Sequence, residues 1–367
     1  MIKKSLLFVA MLVIILGSVV VALLLIAGCG DKNITHIESY KILDNNLGMI
    51  SSDLLFRGSN WLVSDTTVIL DKVDRAFRHG NTYFVNSGYK VMKIAHDGST
   101  EVVLDRRGRG PGEYSRVLDF CLSDDSIFIL DDSPKVLEYG MDGTHLKSAS
   151  LDYLPASICF NSGSLIVTSA CQDKVHHFHV LSSSTLKEED SFGDYSEAEL
   201  TYRHILSQNN FFRFGESLLY HELMNNTVSR ITDKGLYPDK TFDLFGSNAP
   251  EEFWNNKYDG VVDIMMKLND AGYCYGLEKY AESEARILFS YRSGMKDWMC
   301  LYDKKNDSSF QFDRIDFKEF AASVGIGDIS FQFNSEEDIS LYFPVEVMSE
   351  NKLGFSDGQT LIFTGVL

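Results

Sequence analysis

Three arginines, a glutamate and a tyrosine fall within one run of nine residues, Arg106-Arg107-Gly108-Arg109-Gly110-Pro111-Gly112-Glu113-Tyr114. Guanidinium forks at Arg106, Arg107 and Arg109 suit the carboxylate or sulfate groups of a ligand. Glu113 is placed to accept hydroxyl hydrogens, and the Tyr114 ring to stack on a sugar. The competing reading is structural, and it is preferred. Glycines and a proline fix a crossing between two sheets, and Glu113 caps backbone amides there. A phosphate-cradling loop is excluded, because such a loop opens a helix, whereas the strand-like run Val117–Cys121 follows.

His176, His177 and His179 form a second candidate. Side chains alternate along a strand, so His177 and His179 are expected on one solvent-facing side, as half of a zinc or copper site. No third ligand is identifiable, so no metal and no cofactor is assigned. Asp124-Asp125, Asp131-Asp132 and Glu336-Glu337-Asp338 are a third candidate, for calcium or acid–base work. They fall where turns are expected, and Asp favours turns through its local hydrogen bonds. The turn reading is preferred, and no catalytic residue is assigned.

These residues need a scaffold, and the sequence describes one. Short apolar runs of four to seven residues recur between Asp, Asn, Gly and Ser clusters, the pattern of an all-β chain. One repeat is visible by eye: Tyr83–Ile94 aligns without a gap on Phe128–Tyr139, at an offset of 45 residues. The register continues from Asp97-Gly98 to Asp142-Gly143, an Asp-Gly pair suited to a tight hairpin. Four strands per repeat of this length is the size of a propeller blade.

Weaker copies continue around Ser164–Thr168 and Val175–Leu181, then Ser217–His221, Thr227–Ile231 and Thr241–Leu244 with a turn at Asp233-Lys234-Gly235. A fifth copy covers Ala285–Tyr291 and Trp298–Tyr302, and a sixth Ile339–Phe343, Lys352–Ser356 and Leu361–Phe363. An early strand near Ile37–Leu43 is expected to complete the last blade and close the ring. Two stretches exceed a minimal blade: polar Glu189–Arg203, and residues 248–269, whose apolar spacing reads as an inserted helix or long loop.

The amino terminus says where the chain lives. Ser5 to Gly28 are 24 uncharged residues behind Lys3 and Lys4, and Ile26-Ala27-Gly28-Cys29 matches a bacterial lipobox. Residues 1–28 are therefore expected to be a lipoprotein signal peptide, with Cys29 lipidated. Residues 29–35 form a short tether, and 36–367 the folded part. An uncut transmembrane anchor is the competing reading. Either way the bulk of the chain lies outside the inner membrane.

Cleavage removes Lys3 and Lys4 and takes the net charge from −18 to −20, a balance that disfavours nucleic acid and anionic headgroups. The five remaining cysteines, Cys121, Cys159, Cys171, Cys274 and Cys300, are odd in number and lack C-x-x-C spacing. Buried free thiols are preferred over a disulfide.

The run Gly108-Arg109-Gly110-Pro111-Gly112-Glu113-Tyr114 resembles the G-x-G-P-G-E-[FY] motif of six-bladed, NHL-like β-propeller lipoproteins of Bacteroidota. The surroundings are similar as well: a short strand and loop (Asp53-Leu54-Leu55, then Val68–Val73) comes first, then a blade with an Asp-Gly turn, the motif, and a strand ending in Leu130-Asp131. Residues 226–231 and 241–246 are similar to the family's fourth-blade region, whereas Asn86 departs from its usual Asp. The resemblance implies a six-bladed β-propeller and an outer-membrane location in the cell envelope, and no reaction.

The reading from sequence is thus an all-β, six-bladed β-propeller behind a lipoprotein signal peptide. Its expected role is to bind a glycan, peptide or envelope protein on one propeller face, with the membrane as a second partner through Cys29. Two other readings compete: a metal-dependent hydrolase or lactonase with a site in the central channel, and a scaffold for an outer-membrane complex.

Overall fold

A computed structural model describes residues 37–70, 73–170, 176–202, 210–221, 225–232, 235–335, 338–347 and 359–367. The signal segment, Cys29 and its tether, Cys171, the turn at Asp233-Lys234, the pair Glu336-Glu337 and the strand expected at Lys352–Ser356 lie outside these residues.

The chain from Glu38 to Leu367 is an all-β propeller. Among the described residues its strands form six sheets, each an antiparallel meander. Sheet 1 runs Arg75–His79, Thr82–Ser87, Lys90–Ala95 and Thr100–Leu104. Sheet 2 runs Val117–Leu122, Ser126–Asp131, Lys135–Gly140 and His145–Ser150. Sheet 3 comprises Pro155–Asn161, Ser164–Ser169, His176–Ser182 and Glu188–Asp194. Sheet 4 comprises Phe211–Phe214, Ser217–His221, Thr227–Thr232 and Gly235–Leu244. In sheet 5, Cys274–Tyr275 and Tyr280–Glu282 both pair with Arg286–Ser293, followed by Lys296–Asp303 and Ser308–Phe317. Sheet 6 holds Ser330–Ser335, Asp338–Pro344 and Thr360–Val366.

The last sheet takes its fourth strand from the other end of the chain. Arg57–Val63 pairs antiparallel with Thr360–Val366, so the ring is closed by residues 57–63 and not by the expected Ile37–Leu43. Glu38–Ile42 lies instead parallel to Gly235–Leu244, as a fifth strand of sheet 4. Asn46–Ser51 lies parallel to Ser308–Phe317 on sheet 5. Asp53-Leu54-Leu55 is part of a helical turn, Ser52–Leu55, and no strand forms at Val68–Leu70. The closing strand escaped notice because its first four residues, Arg57-Gly58-Ser59-Asn60, are exposed and polar, with no alternation to reveal it.

The Asp-Gly repeat has a mechanical meaning. Gly98 and Gly143 have φ of +86° and +81°. A Cβ on Gly98 would stand 2.3 Å from the carbonyl oxygen of Val63, and one on Gly143 2.4 Å from that of Val103. Each turn therefore docks on the outer strand of the preceding sheet, and only glycine satisfies both the backbone and the contact. The turn of sheet 1 makes with sheet 6 the same contact that sheet 2 makes with sheet 1. The ungapped alignment slips by one residue in the preceding hairpin, because sheet 1 turns through Gly88-Tyr89 and sheet 2 through Asp132-Ser133-Pro134.

The first strands of the sheets touch one another around the centre. There Arg75 Nη1 lies 3.1 Å from Asp119 Oδ2, with both side chains sealed from solvent. The same oxygen accepts the Ile158 amide at 2.8 Å, so one carboxylate ties the first strands of sheets 1, 2 and 3. Burial holds Asp119 above the ordinary carboxylate range, against the pull of Arg75.

Candidate functional site

In each meander the link between the second and third strands, and the link onward to the next sheet, leave from the same strand ends. The longer described connections gather there: residues 105–116, 195–202, 245–273 and 318–329. Glu251–Trp254 and Val261–Asp270 are helical within the third of these.

The Gly-Pro-Gly run is the link between sheets 1 and 2, and it is held from every side. Gly110 N donates to Glu113 Oε2 at 2.7 Å, and Gly108 N to the Tyr114 carbonyl at 2.9 Å. A Cβ on Gly108 would sit 2.0 Å from Glu113 Oε2, so glycine is what admits the carboxylate. Tyr114 is 0% exposed and donates its hydroxyl to the Tyr89 carbonyl at 2.8 Å. Its ring is therefore not available to stack on a sugar, and burial pushes its hydroxyl up to about 12. Glu113 likewise caps its own loop rather than facing a ligand. Asp131 fastens the end of the run, accepting the amides of Ser115 and Arg116, each at 3.0 Å.

The three arginines are exposed, but two are engaged. Arg106 Nη2 donates to the Gly143 carbonyl at 3.1 Å, and the Arg107 guanidinium lies 4.1 Å from the Tyr89 ring centre. Arg109 projects from the loop.

His177 and His179 are buried, against the expected solvent-facing strand, while His176 is half-buried with its Nδ1 2.6 Å from Asp194 Oδ1. His177 Nε2 meets the Tyr220 hydroxyl at 2.8 Å, and its Nδ1 meets that of Tyr195. The His179 ring stacks on Tyr153 at 3.8 Å, and its Nδ1 lies 3.2 Å from Glu188 Oε2. The two imidazoles thus engage separate partners rather than a shared point. Among the described residues, no group of three or more His, Cys, Asp or Glu is gathered as for a metal ion.

Two features of this end of the molecule were not read from the sequence. One is an apolar patch. Val262 and Met266 stand one helical turn apart and are 67% and 60% exposed, and Met295, at the tip of the hairpin of sheet 5, is 91% exposed. Asn269 Nδ2 lies 3.5 Å from Met295 Sδ and joins the two elements. The buried side of the same helix, Ile264 and Leu268, packs on Tyr202, Tyr258 and Tyr275, which fixes the patch to the scaffold. The alternation of 264 and 268 with 262 and 266 was legible, but the hairpin that brings Met295 alongside was not. The other feature is a cavity of ≈ 270 Å³ between sheets 6 and 1, lined by Val73, Asp328, Ile329, Tyr342, Phe343 and Pro344 among others.

A second buried charge cluster joins sheets 4 and 5. Glu282 accepts Lys304 Nζ at 2.6 Å and the Tyr280 hydroxyl at 3.0 Å, and lies 3.3 Å from Lys240 Nζ. Its members satisfy one another, so it reads as a rivet between sheets.

The family model described as Domain of unknown function (DUF4934) matches residues 64–352. The chain belongs to the DUF4934 family. Of solved structures, an exported protein of Bacteroides fragilis is similar to this DUF4934 chain at 18% identity and a TM-score of 0.68, covering 90% of this chain and 100% of that one. The extracellular domain of a one-component system from B. thetaiotaomicron is similar at 10% identity and a TM-score of 0.42, covering 78% of this chain and 32% of that one. No curated protein matches the DUF4934 chain. Among the described residues no helix is long and apolar enough to cross a membrane.

Proposed function

We propose that this DUF4934 protein is a six-bladed propeller lipoprotein of the bacterial envelope, anchored through Cys29 to the outer membrane, that holds a peptide or protein partner on its loop-bearing face. The lipobox supports the anchor, and the exported Bacteroides protein with a similar fold supports an extracytoplasmic site. The observation that carries the binding role is the Val262–Met266–Met295 patch. Three large apolar side chains, each at least 60% exposed, are clustered on a rigidly packed helix and a hairpin tip. Methionine adapts to irregular partner surfaces, and a clustered patch of this kind marks an interaction site. No catalytic role is assigned: Asp119, on the first strand of sheet 2, is committed to Arg75 and Ile158.

The test is a thermal-shift screen of the full-length lipoprotein in detergent against apolar peptides, glycan fragments and divalent metals, repeated on Met266→Ser and Met295→Ser. Saturable stabilisation by a peptide that both substitutions weaken is the expected result. A shift with glycan alone, unaffected by either substitution, or with metal alone and reversed by chelator, would move the site away from this patch and refute the reading.

A further inference from the structure

The outer rim of sheet 5 carries a second run of exposed apolar side chains. Leu43, Leu47, Met49 and Leu54 fall within twelve residues and are between 44% and 53% exposed. They lie on the brace that follows the tether. Leu47 and Met49 are both exposed on the strand Asn46–Ser51, which bulges at Gly48, while Ile50 is buried in the core. Leu54 follows on the helical turn Ser52–Leu55. Single exposed leucines are ordinary, but a row of four on one edge is not scatter.

The length of chain in front of this row names its occupant. Seven residues, 30–36, separate Cys29 from Ile37, a path of eight Cα–Cα steps. Fully extended at about 3.3–3.6 Å each, they reach at most about 29 Å. A compact domain of this length has a radius of gyration of about 20 Å. A lipid on Cys29 therefore holds the edge that begins at Glu38 closer to the bilayer than it can hold the far side of the propeller. The charge on this rim is mixed rather than uniformly acidic. Exposed Lys41, Arg57, Arg314 and Lys318 stand among Glu38, Asp44 and Asp53, with Arg314 paired opposite Met49 and Lys318 Nζ 3.9 Å from Asp53. Their long side chains can turn to headgroups while the leucines enter the interface.

We infer that Leu43, Leu47, Met49 and Leu54 form a membrane-contact rim that sets the propeller edge-on to the bilayer to which it is tethered. The inference rests on the lipid anchor at Cys29. Edge-on seating turns the loop-bearing end sideways, leaving Met266 and Met295 open to a partner. The contact is apolar, so added salt leaves it in place.

The experiment uses the full-length lipoprotein in phosphatidylethanolamine–phosphatidylglycerol vesicles. An environment-sensitive fluorophore is attached at Leu47→Cys, Met49→Cys or Leu54→Cys and, as a control, at Leu146→Cys on the outer strand of sheet 2. Nitroxide lipids report proximity, and mass spectrometry reports the lipid on Cys29. The expected result is several-fold stronger quenching at the three rim positions than at Leu146, unchanged by added salt. Equal quenching at all four sites with Cys29 lipidated overturns the rim while leaving the anchor intact. An unmodified Cys29 and protein that does not pellet with vesicles overturns the anchor itself, and the rim with it.

Discussion

Asp119→Ala tests whether the buried carboxylate holds the first strands of sheets 1, 2 and 3 together. The substitution strands the Arg75 guanidinium, whose side chain is 3% exposed, without its counter-ion. It also removes the acceptor of the Ile158 amide at 2.8 Å. Breaking a buried pair from one side costs about 3–5 kcal/mol, which is about two to three and a half decades in the folding equilibrium. Removing both charges is milder. The double variant Arg75→Met/Asp119→Ala strands no charge and leaves the Ile158 and Phe120 amides without their carboxylate acceptor, a loss of about 1–3 kcal/mol. The double variant is therefore expected to be more stable than either single variant, with a coupling of about 2 kcal/mol or more. Urea unfolding followed by tryptophan fluorescence and circular dichroism, on wild type and all three variants, measures this. A single variant within about 1 kcal/mol of wild type, or two losses that simply add, would refute the reasoning, because buried partners in contact do not behave independently.

The same contacts yield four further expectations. Thr100 and Thr67 hold the Asp65 carboxylate below its ordinary range; at Asp131 burial pushes up, but bonds from Ser115, Ser133 and Arg116 outweigh it and lower the group. A depressed folded value stabilises above the unfolded pKa near 4 and is lost as pH falls through the folded value, so acid unfolding should set in below about pH 4 and flatten in Asp65→Asn/Asp131→Asn. Gly108→Ala should cost about 1–3 kcal/mol by expelling the Glu113 carboxylate, and markedly less in a Glu113→Ala background; equal costs in urea unfolding would place the strain elsewhere. Burial pushes the thiols of Cys121, Cys159, Cys274 and Cys300 up, Cys159 to about 11 and Cys300 to about 12; Cys159 is half-buried and the other three are buried, so a Cys159→Ser/Cys171→Ser variant should react with an aromatic disulfide reagent only after denaturation, and prompt native reaction would contradict the burial of those three. Trp61→Ala should cost about 3–5 kcal/mol and Tyr40→Ala less, measured by thermal and urea unfolding; the reverse order would mean that Arg57–Val63 is not the closing strand.

What the sequence made legible follows from which strands are covered on both sides. Ile127–Leu130 and Leu165–Val167 are continuous apolar runs because their strands lie inside a sheet and between sheets. The outer strands are wet, and there the signal failed: polar Glu189–Arg203 read as exceeding a minimal blade, but its first residues belong to Glu188–Asp194, the fourth strand of sheet 3. The run at 106–114 forms the link between sheets 1 and 2, and Glu113 and Tyr114 make their bonds to loop backbone there. The histidines misled, since an H-x-H spacing says nothing of whether the strand faces water or the Tyr153 and Tyr220 rings. Arg75 and Asp119 sit 44 residues apart and close across two sheets, a contact that no local pattern announces. The patch was missed for the same reason, because Met266 and Met295 meet only through the fold.

The three strands at the amino terminus separate two tasks that a propeller could have given to one. In this chain Arg57–Val63 closes the ring, and its Trp61 packs edge-on against Phe320 at 4.1 Å and Phe363 at 4.6 Å. Two earlier strands precede that closure, each lying parallel on a different sheet. A pull applied to the chain ahead of Glu38 meets Glu38–Ile42 first, where Tyr40 stacks on Phe242, and then Asn46–Ser51, before it reaches the closing strand. Loss of the first brace exposes part of the edge of sheet 4 and leaves the sheet 6 pairing with Thr360–Val366 intact. That order is why Tyr40→Ala should be milder than Trp61→Ala. It also explains how exposed leucines are tolerated on the brace: the strand that carries them is not the one on which ring closure depends.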